Sequence, residues 1–310
     1  MSTHHVDTPN RSAYFGEEHE LLRAQLRRFV EEEIKPHGLQ WEQDGMVPRD
    51  VLRRMGELGF LGIRYSAKYG GSDMNTLATV VLAEELGRST FSGVAITVLV
   101  HTDMASVHLY NAGSQALKDH FMPDVVAGKR IVAVGVTEPG AGSDVKGIRT
   151  TARREGDSYV LNGAKMFITN GVHADLYCIA AVSSPDARPS QRMSIFLVEK
   201  GTPGIRVGRA LDKQGWRSSD TAELLFEDCR ISATNLLGEE GRGFYAIMRN
   251  FQNERIVIGA MAMGEAQAAI EITLDWVTQR QTFGAPLWSR QAIRHRLAML
   301  AAKVEAGRQI

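Results

Sequence analysis

A glycine-rich segment that follows a strand-like run is the first place where this sequence could do chemistry. Residues 135–144, GVTEPGAGSD, combine small residues with the hydroxyls of Thr137 and Ser143. Such a loop allows backbone amides to approach an anionic or polar ligand closely. A tight connection between two strands has the same composition, so the residues alone leave both interpretations open. The spacing differs from the GxGxxG dinucleotide fingerprint, and no βαβ unit follows it.

A second candidate lies shortly afterwards in residues 165–171, KMFITNG, where Phe167 and Thr169 alternate on a predicted strand edge. Alternate residues of a strand share a face. An aromatic ring beside a hydroxyl suits a flat heteroaromatic ligand, through stacking and a hydrogen bond. Taken alone, these residues are better explained by a core Phe with a capping Thr.

The third candidate is Glu254, which lies in a helical pattern immediately before the apolar residues 256–261. A carboxylate beside apolar surface loses hydration, which raises its pKa and prepares it as a base near neutral pH. The alternative is an ion pair with Arg255 or another cation, and the residues alone favour this alternative.

The fourth candidate follows the same helical pattern, with Arg280 and Phe283 in the segment RQTFG and Gln291 eleven positions after Arg280. An arginine at a helix end is often present because it interacts favourably with the helix dipole. The sequence contains no HExxH, Walker loop, CxxC or Ser/His/Asp arrangement, so hydrolase and metal sites have no support.

The elements that must position these residues change in type along the chain. Helical spacing of apolar residues predicts helices at 17–34, 50–58, 76–86, 93–110 and 114–126. Short β-rich runs follow at 131–136, 159–161, 176–182, 194–198 and 222–226. The dipeptide Asn162-Gly163 predicts a tight turn between two of these runs. Because no helices intervene, we expect an antiparallel barrel or sandwich.

From Gly243 the helical period returns, in one run to about Arg280 and a second from Gln291 to the end. The 36 basic residues balance 36 acidic ones, which predicts no nucleic-acid partner. Nowhere do 18 consecutive apolar residues occur, so we expect no membrane span. With only Cys178 and Cys229, and a polar start, the chain is expected to be cytoplasmic.

These four segments, in this order, resemble the acyl-CoA dehydrogenase family from about Phe15 to the last residue. The resemblance also includes residues 212–221, DKQGWRSSDT, and 238–244, GEEGRGF. It implies an α+β fold with an N-terminal α-helical domain over 1–125, a middle antiparallel β-barrel domain over 126–235 and a C-terminal four-helix-bundle domain over 236–310. That last domain is expected to lack the family's C-terminal segment.

The resemblance implies FAD as the cofactor, with Phe167 packed on the isoalloxazine and Thr169 bonded near N5. Arg280 and Gln291 would reach the FAD of a neighbouring subunit in a homotetramer. The residues expected to bind the cofactor are Val134, Val136, Thr137, Gly142, Ser143, Phe167, Ile168, Thr169, Arg280, Phe283 and Gln291.

Acyl-CoA is the substrate that the resemblance implies, and an electron-transfer flavoprotein is the implied acceptor, as in fatty acid β-oxidation. The residues expected to contact the substrate are Ser143, Gln191, Arg192, Tyr245, Gln252, Asn253 and Arg255. In the isovaleryl and long-chain branches of the family the catalytic base occupies the position of Glu254, which reverses the preference for an ion pair there. A flavin oxidase or monooxygenase of the same fold, and a truncated non-catalytic flavoprotein that binds acyl-CoA, are the alternatives.

Overall fold

The computed structural model describes residues 14–310 and confirms the order helices, sheet, helices. The N-terminal helices, with two π-helical segments among them, are α1 Glu17–Phe29, the first π-helix Val30–Ile34, α2 Gly38–Asp44, α3 Arg49–Glu57, α4 Thr76–Gly87, α5 Ser92–Leu99, the second π-helix Val100–Ala105, α6 Ser106–Ala112 and α7 Gln115–Val126. The short α2 was not expected, because seven residues are too few to show a helical period.

The middle of the chain forms one mixed sheet. Its strands are β1 Val132–Gly135, β2 Thr151–Glu155, β3 Ser158–Thr169, β4 Leu176–Val182, β5 Met193–Glu199, β6 Ile205–Ala210, β7 Thr221–Ser232 and β8 Leu236–Leu237. They pair in the order β6-β7-β3-β2-β4-β5-β8, and β1 pairs with β4. The domain limits at 125 and 235 stay a prediction.

The expectation of a purely antiparallel sheet is wrong at one parallel residue pair between β2 and β4, Thr151 opposite Val182, and along the whole of β1. This strand runs parallel to β4, from Val132 opposite Leu176 to Gly135 opposite Ile179. The β2–β3 hairpin lies between the two strands in the chain and returns it in the original direction, so a parallel pair forms without a crossover helix. The end of β1 also reaches β3, because Met166 N–H donates to the carbonyl oxygen of Thr137 at 2.9 Å.

The predicted turn at Asn162-Gly163 is wrong as well, because both residues lie inside β3. The pairing with β7 shifts register between Leu161 and Gly163, which is a β-bulge. Gly163 has φ of 146°, and a Cβ there would lie 2.5 Å from Thr150 Oγ1. Asparagine and glycine suit a bulge for the same conformational reason that they suit a turn.

The C-terminal part consists of α8 Gly243–Gln279, a two-stranded hairpin of β9 Gln281–Thr282 and β10 Ala285–Pro286, and α9 Gln291–Gln309. By length and composition alone α8 could cross a membrane, since an 18-residue window has mean hydropathy 1.3 with 22% of it buried. We expected no membrane span because the sequence has no uninterrupted run of 18 apolar residues. The helix α8 reaches its mean hydropathy without such a run.

The N-terminal and C-terminal helices are joined by buried charges and by close backbone contact. Arg23 Nη1 lies 2.6 Å from Glu84 Oε2, and Arg308 Nε of the last helix lies 3.0 Å from Glu84 Oε1. Where α4 crosses α8, a Cβ on Gly264 would lie 2.0 Å from the carbonyl oxygen of Glu84. Glycine therefore permits the two helices to touch through their backbones.

Apolar surface remains uncovered on the C-terminal helices. A groove between α8 and α9 has a volume of about 770 Å³ and is lined by residues such as Ile270, Leu297 and Leu300. Trp276 is 61% exposed nearby on α8. A helical domain with unpartnered faces exposes apolar surface in this way.

Candidate active site

The glycine-rich loop extends from the end of β1 as an open surface. Gly140, Gly142 and Ser143 are exposed. A Cβ on Gly140 or Gly142 would meet nothing within 4 Å. The backbone at these positions is therefore accessible to a ligand, as the composition of the segment indicated.

A buried ion pair anchors this loop to β3. Lys165 Nζ lies 2.6 Å from Glu138 Oε1, and the two side chains are 0% and 6% exposed. Glu138 also accepts hydrogen bonds from the backbone N–H groups of Arg149 at 2.6 Å and Thr150 at 3.0 Å. Lys165 donates in addition to the carbonyl oxygen of Val136 at 3.2 Å. Both ends of the loop are thus tied to one buried carboxylate and its cation.

The acidities of this pair follow from burial and from the partner. Burial lowers the pKa of Lys165 to about 8, and Glu138 opposes that effect. Burial would raise the pKa of Glu138, but Lys165 and the two donating amides outweigh it and lower the pKa below its usual value. Glu138 is therefore a carboxylate at neutral pH, and it stabilises the charged form of Lys165.

Phe167 lies two residues beyond this pair on the outside of the sheet. Its side chain is 61% exposed and its backbone has φ of 60°, whereas the side chain of Ile168 is 3% exposed. The interpretation of Phe167 as a core residue is therefore wrong. A second register shift between Lys165 and Ile168 interrupts the alternation of β3 and turns the ring out. Thr169 is partly exposed beside it.

These features fit a flavin cofactor. The exposed ring of Phe167 offers a stacking surface, and the hydrogen bond from Met166 to Thr137 places the glycine-rich loop next to it. Thr137 and Thr169 supply partly exposed hydroxyls, and Val134 and Val136 are partly buried at and beyond the end of β1. The donors and the open backbone suit a flat heteroaromatic ring with a polar chain.

Glu254 lies on α8 in a partly buried position. Its Oε1 accepts a hydrogen bond from Asn250 Nδ2 at 2.7 Å. Burial raises the pKa of Glu254 to about 7, and Asn250 and Arg255 oppose the rise. A carboxylate with this pKa exists in both forms near neutral pH, which is the condition for a general base there.

The ion pair that the residues alone favoured for Glu254 is absent from the described chain, residues 14–310. Arg255 is exposed, and its guanidinium carbon lies 5.7 Å from the centroid of the Phe251 ring. The positive charge therefore acts on Glu254 only at a distance. Gln252 is exposed and Asn253 is partly buried on the same helix.

Two loops of the sheet meet the first turn of α8. Tyr245 Oη donates to Ser190 Oγ at 3.3 Å, in the turn that carries Gln191 and Arg192. Lys146 Nζ lies 4.9 Å from the centroid of the Phe244 ring, which brings the segment after Ser143 to the same place. Three sets of residues that were expected to contact the substrate therefore lie near the start of α8, namely Ser143, the pair Gln191 and Arg192, and Tyr245.

The remaining residues that were expected to bind the cofactor, Arg280, Phe283 and Gln291, lie at the other end of α8. Arg280 follows Glu254 by 26 positions, which at 1.5 Å per residue is about 39 Å along the helix. Phe283 is 98% exposed at the tip of the β9–β10 hairpin, and Gln291 begins α9. Within one chain these residues therefore cannot share a site with Glu254.

A polar contact behind Glu254 was missed by sequence reasoning. Asn250 Nδ2 also reaches the carbonyl oxygens of Asp103 at 3.2 Å and Met104 at 3.3 Å, both in the second π-helix. Asp103 is 0% exposed and its Oδ1 lies 3.0 Å from Arg64 Nη1. The signal was the spacing of four between Asn250 and Glu254, which places them on one helix face.

Comparison with known proteins decides the family. Three family models match, described as the N-terminal, middle and C-terminal domains of acyl-CoA dehydrogenase, at residues 16–129, 133–229 and 241–310. The chain belongs to the acyl-CoA dehydrogenase family. It is 41% identical over 291 residues to the mitochondrial long-chain specific acyl-CoA dehydrogenase of Mus musculus, covering 94% of this chain and 67% of that protein.

Solved structures support the same family and its cofactor. An acyl-CoA dehydrogenase from Geobacillus kaustophilus is 41% identical, with a TM-score of 0.92 over 96% of this chain and 78% of that chain. The FAD complex of PigA is 28% identical, with a TM-score of 0.90 over 96% and 77%. This member of the acyl-CoA dehydrogenase family is an oxidoreductase that acts on acyl-CoA, and FAD is its cofactor. Among the residues described, no cluster of His, Cys, Asp and Glu is arranged to hold a metal ion.

Proposed function

We propose that this chain converts an acyl-CoA thioester into the trans-2-enoyl-CoA, with Glu254 as the base that removes the α-proton. The observation that carries the proposal is the state of Glu254, a partly buried carboxylate whose pKa burial raises to about 7. Glu254 lies on α8, and the first turn of this helix contacts two loops of the sheet through Phe244 and Tyr245.

The reaction needs a base of this strength. The α-proton of a thioester is weakly acidic, so a fully hydrated carboxylate is too weak a base to remove it efficiently. Hydrogen bonds to the carbonyl oxygen must also stabilise the developing enolate. FAD, when bound, supplies the two-electron acceptor for the β-hydrogen, which leaves as hydride.

The proposed binding residues follow the distribution of exposed groups. Phe167, Thr169 and the loop from Val134 to Ser143 would hold the flavin, and Ile168, whose side chain is buried, would contribute through its backbone. We assign the substrate to Ser143, Gln191, Arg192, Tyr245, Gln252, Asn253 and Arg255. Arg280, Phe283 and Gln291 would serve the FAD of a second subunit, because their distance from Glu254 excludes the site of their own chain.

The proposal extends to the biological setting. A homotetramer would bring the far end of α8 in one subunit to the flavin of another. An electron-transfer flavoprotein would take the electrons onward, and fatty acid β-oxidation in the cytoplasm would be the process served. The helices around residues 98–105 and Tyr245 would set the length of the acyl chain.

The test is anaerobic addition of a series of acyl-CoA thioesters to the purified flavoprotein and to Glu254→Gln. Bleaching of the visible flavin band in the wild type, and its loss in Glu254→Gln, is the expected result. Equal bleaching in the variant would assign the base to another residue. Oxygen consumption during turnover would indicate an oxidase instead, and a colourless protein that still binds acyl-CoA would indicate a binding role.

A further inference from the structure

The side chain of Asn250 connects the proposed base to the N-terminal domain. It is 8% exposed, and its amide nitrogen lies 2.7 Å from Glu254 Oε1. The same nitrogen lies 3.2 Å and 3.3 Å from the carbonyl oxygens of Asp103 and Met104. A side-chain amide has two N–H donors, so one serves the carboxylate and the other is shared between the carbonyls.

The surroundings fix the orientation of this amide. The three hydrogen-bond partners of the nitrogen are all acceptors, namely one carboxylate oxygen and two carbonyl oxygens. The opposite orientation would place the amide oxygen against all three of them, which is repulsive. Asn250 therefore has one stable arrangement, and Glu254 is held by a donor that is itself held by the second π-helix. Such π-helical segments are frequent at functional sites.

The other end of the connection is fixed by charge. Asp103 accepts from Arg64 at 3.0 Å, from Thr102 Oγ1 at 2.7 Å and from Asn253 Nδ2 at 3.3 Å. Of these donors Asn253 lies on α8, so the network also joins the π-helix to α8 less than one turn beyond Asn250. Arg64, Thr102 and Asn253 lie on three different segments of the chain. The side chain of Asp103 therefore has little freedom to move.

Resting on the proposed role of Glu254, we propose that Asn250 is the residue that positions this base, by donating to its ionised carboxylate from a fixed point on the π-helix. The hydrogen bond selects one orientation of the Glu254 side chain, which otherwise has three rotatable bonds. It also favours the charged form, because an amide N–H interacts more strongly with a carboxylate than with a carboxylic acid.

The charged groups near Glu254, Arg255 and Asp103, do not position its carboxylate as Asn250 does. On its own helix Arg255 is exposed and acts at a distance, lowering the pKa of Glu254. On the packed π-helix, the carboxyl of Asp103 is already paired with Arg64. Burial, which raises the pKa of Glu254, is thus opposed at contact distance by the neutral Asn250 amide.

The test measures proton removal separately from hydride transfer. An acyl-CoA analogue in which sulfur replaces the β-carbon keeps its α-protons and cannot lose a β-hydride. Exchange of these protons with deuterated solvent, followed from about pH 5 to 9, reports the base alone. The proteins compared are the flavin-loaded wild type, Glu254→Gln, Asn250→Ala, Asn250→Asp and Asn250→Gln.

We expect Asn250→Ala to slow exchange by about tenfold or more at neutral pH and to move the pH of half-maximal exchange upward by about 1. Asn250→Asp preserves the shape but removes the donor, so it should move that pH further. Asn250→Gln keeps the amide and should recover part of the rate. Binding of the analogue, measured at high pH, should change by less than about threefold in each case.

A matched control is Ser92→Ala, since Ser92 Oγ donates to Glu265 on α8 and so also joins this helix to the N-terminal domain. Its pH profile should equal that of the wild type. If Glu254→Gln still exchanges, the proposed base is wrong. If Glu254→Gln is inactive but the Asn250 variants keep the wild-type profile, the base stands and the role of Asn250 is refuted. Where Asn250→Ala does not fold, by flavin content and thermal melting, Asn250→Gln decides. Its longer side chain displaces the donor, so a wild-type profile refutes the role of Asn250 and an upward shift of the profile supports it.

Discussion

Lys165 Nζ lies 2.6 Å from Glu138 Oε1 beneath the glycine-rich loop, and neither side chain has appreciable contact with solvent. Their separation in the chain, 27 residues, covers most of the loop, all of β2 and the first part of β3. One ion pair therefore holds together the two segments that we assign to the flavin.

Lys165→Met is expected to destabilise the protein by about 3–5 kcal/mol, because it leaves the Glu138 carboxylate buried without its cation. Denaturant unfolding would measure the loss, and the flavin content of the purified variant should fall with it. The double variant Lys165→Met with Glu138→Gln should recover much of the stability, since no buried charge remains. Equal losses in the single and double variants would show that the pair contributes through packing alone.

Glu254→Gln is expected to stabilise the protein at alkaline pH. The pKa of Glu254 is about 7 in the folded chain against an ordinary value of 4.5, so the folded state binds more protons between these values. Stability contributed by the protonated carboxyl is then lost as pH rises through that window. At pH 8 the variant should gain about 1–3 kcal/mol, and at pH 4 the two proteins should be nearly equal. A difference that does not vary with pH would contradict the raised pKa.

His101 should make the fold sensitive to acid. Its Nδ1 accepts from Val132 N–H at 3.1 Å and its Nε2 donates to the carbonyl oxygen of Val125 at 3.1 Å, which requires the neutral ring. Burial lowers its pKa from the ordinary 6.5 to about 4. The unfolded state therefore binds more protons between these values, and stability falls as pH decreases from about 6.5 to about 4.

The measurement is urea unfolding of the wild type and His101→Gln at several pH values. The variant should lose about 1–3 kcal/mol at neutral pH and show a shallower decline toward acid. His108, whose pKa burial also lowers to about 4, stays in both proteins and contributes to the slope that remains. Parallel pH profiles in the two proteins would exclude His101 as a source of acid sensitivity.

Gly264→Ala should separate α8 from α4. An added Cβ would lie 2.0 Å from the carbonyl oxygen of Glu84, which is backbone and has no freedom to turn aside. We expect a loss of about 3 kcal/mol or more, at the upper end of overpacking. Gly259→Ala on the same helix is the control, because its Cβ would meet nothing within 4 Å and should stabilise α8 by about 0.5–1 kcal/mol. A neutral Gly264→Ala would show that the crossing is adaptable.

Most of the helices were predictable from the sequence, because their apolar residues repeat at helical spacing. The prediction for 17–34 matches α1 and the first π-helix, and the prediction for 93–110 covers α5, the second π-helix and α6. The π-helical form itself was not predictable. One extra residue per turn is chosen by packing against neighbours and leaves no clear mark on the apolar period.

Strand pairing was less predictable than strand location. The run at 131–136 contains β1, yet its parallel pairing with β4 depends on the path of the hairpin between them. Asn162-Gly163 was assigned to a turn although it forms a bulge, since both structures need the same permissive backbone. Local residue type restricts φ and ψ, but long-range pairing selects between the structures that share them.

By itself, the sequence determined the order of helices and sheet, the family through its motifs, and the candidate residues Phe167 and Glu254, since these depend on residue type and spacing along the chain. Only the tertiary structure decided that Phe167 is exposed, that Arg280 lies about 39 Å along α8 from Glu254, and that Asn250 joins Glu254 to Asp103. The physical reason is that burial, desolvation and hydrogen bonding depend on contacts between residues far apart in the chain, and such contacts form only when the domains pack.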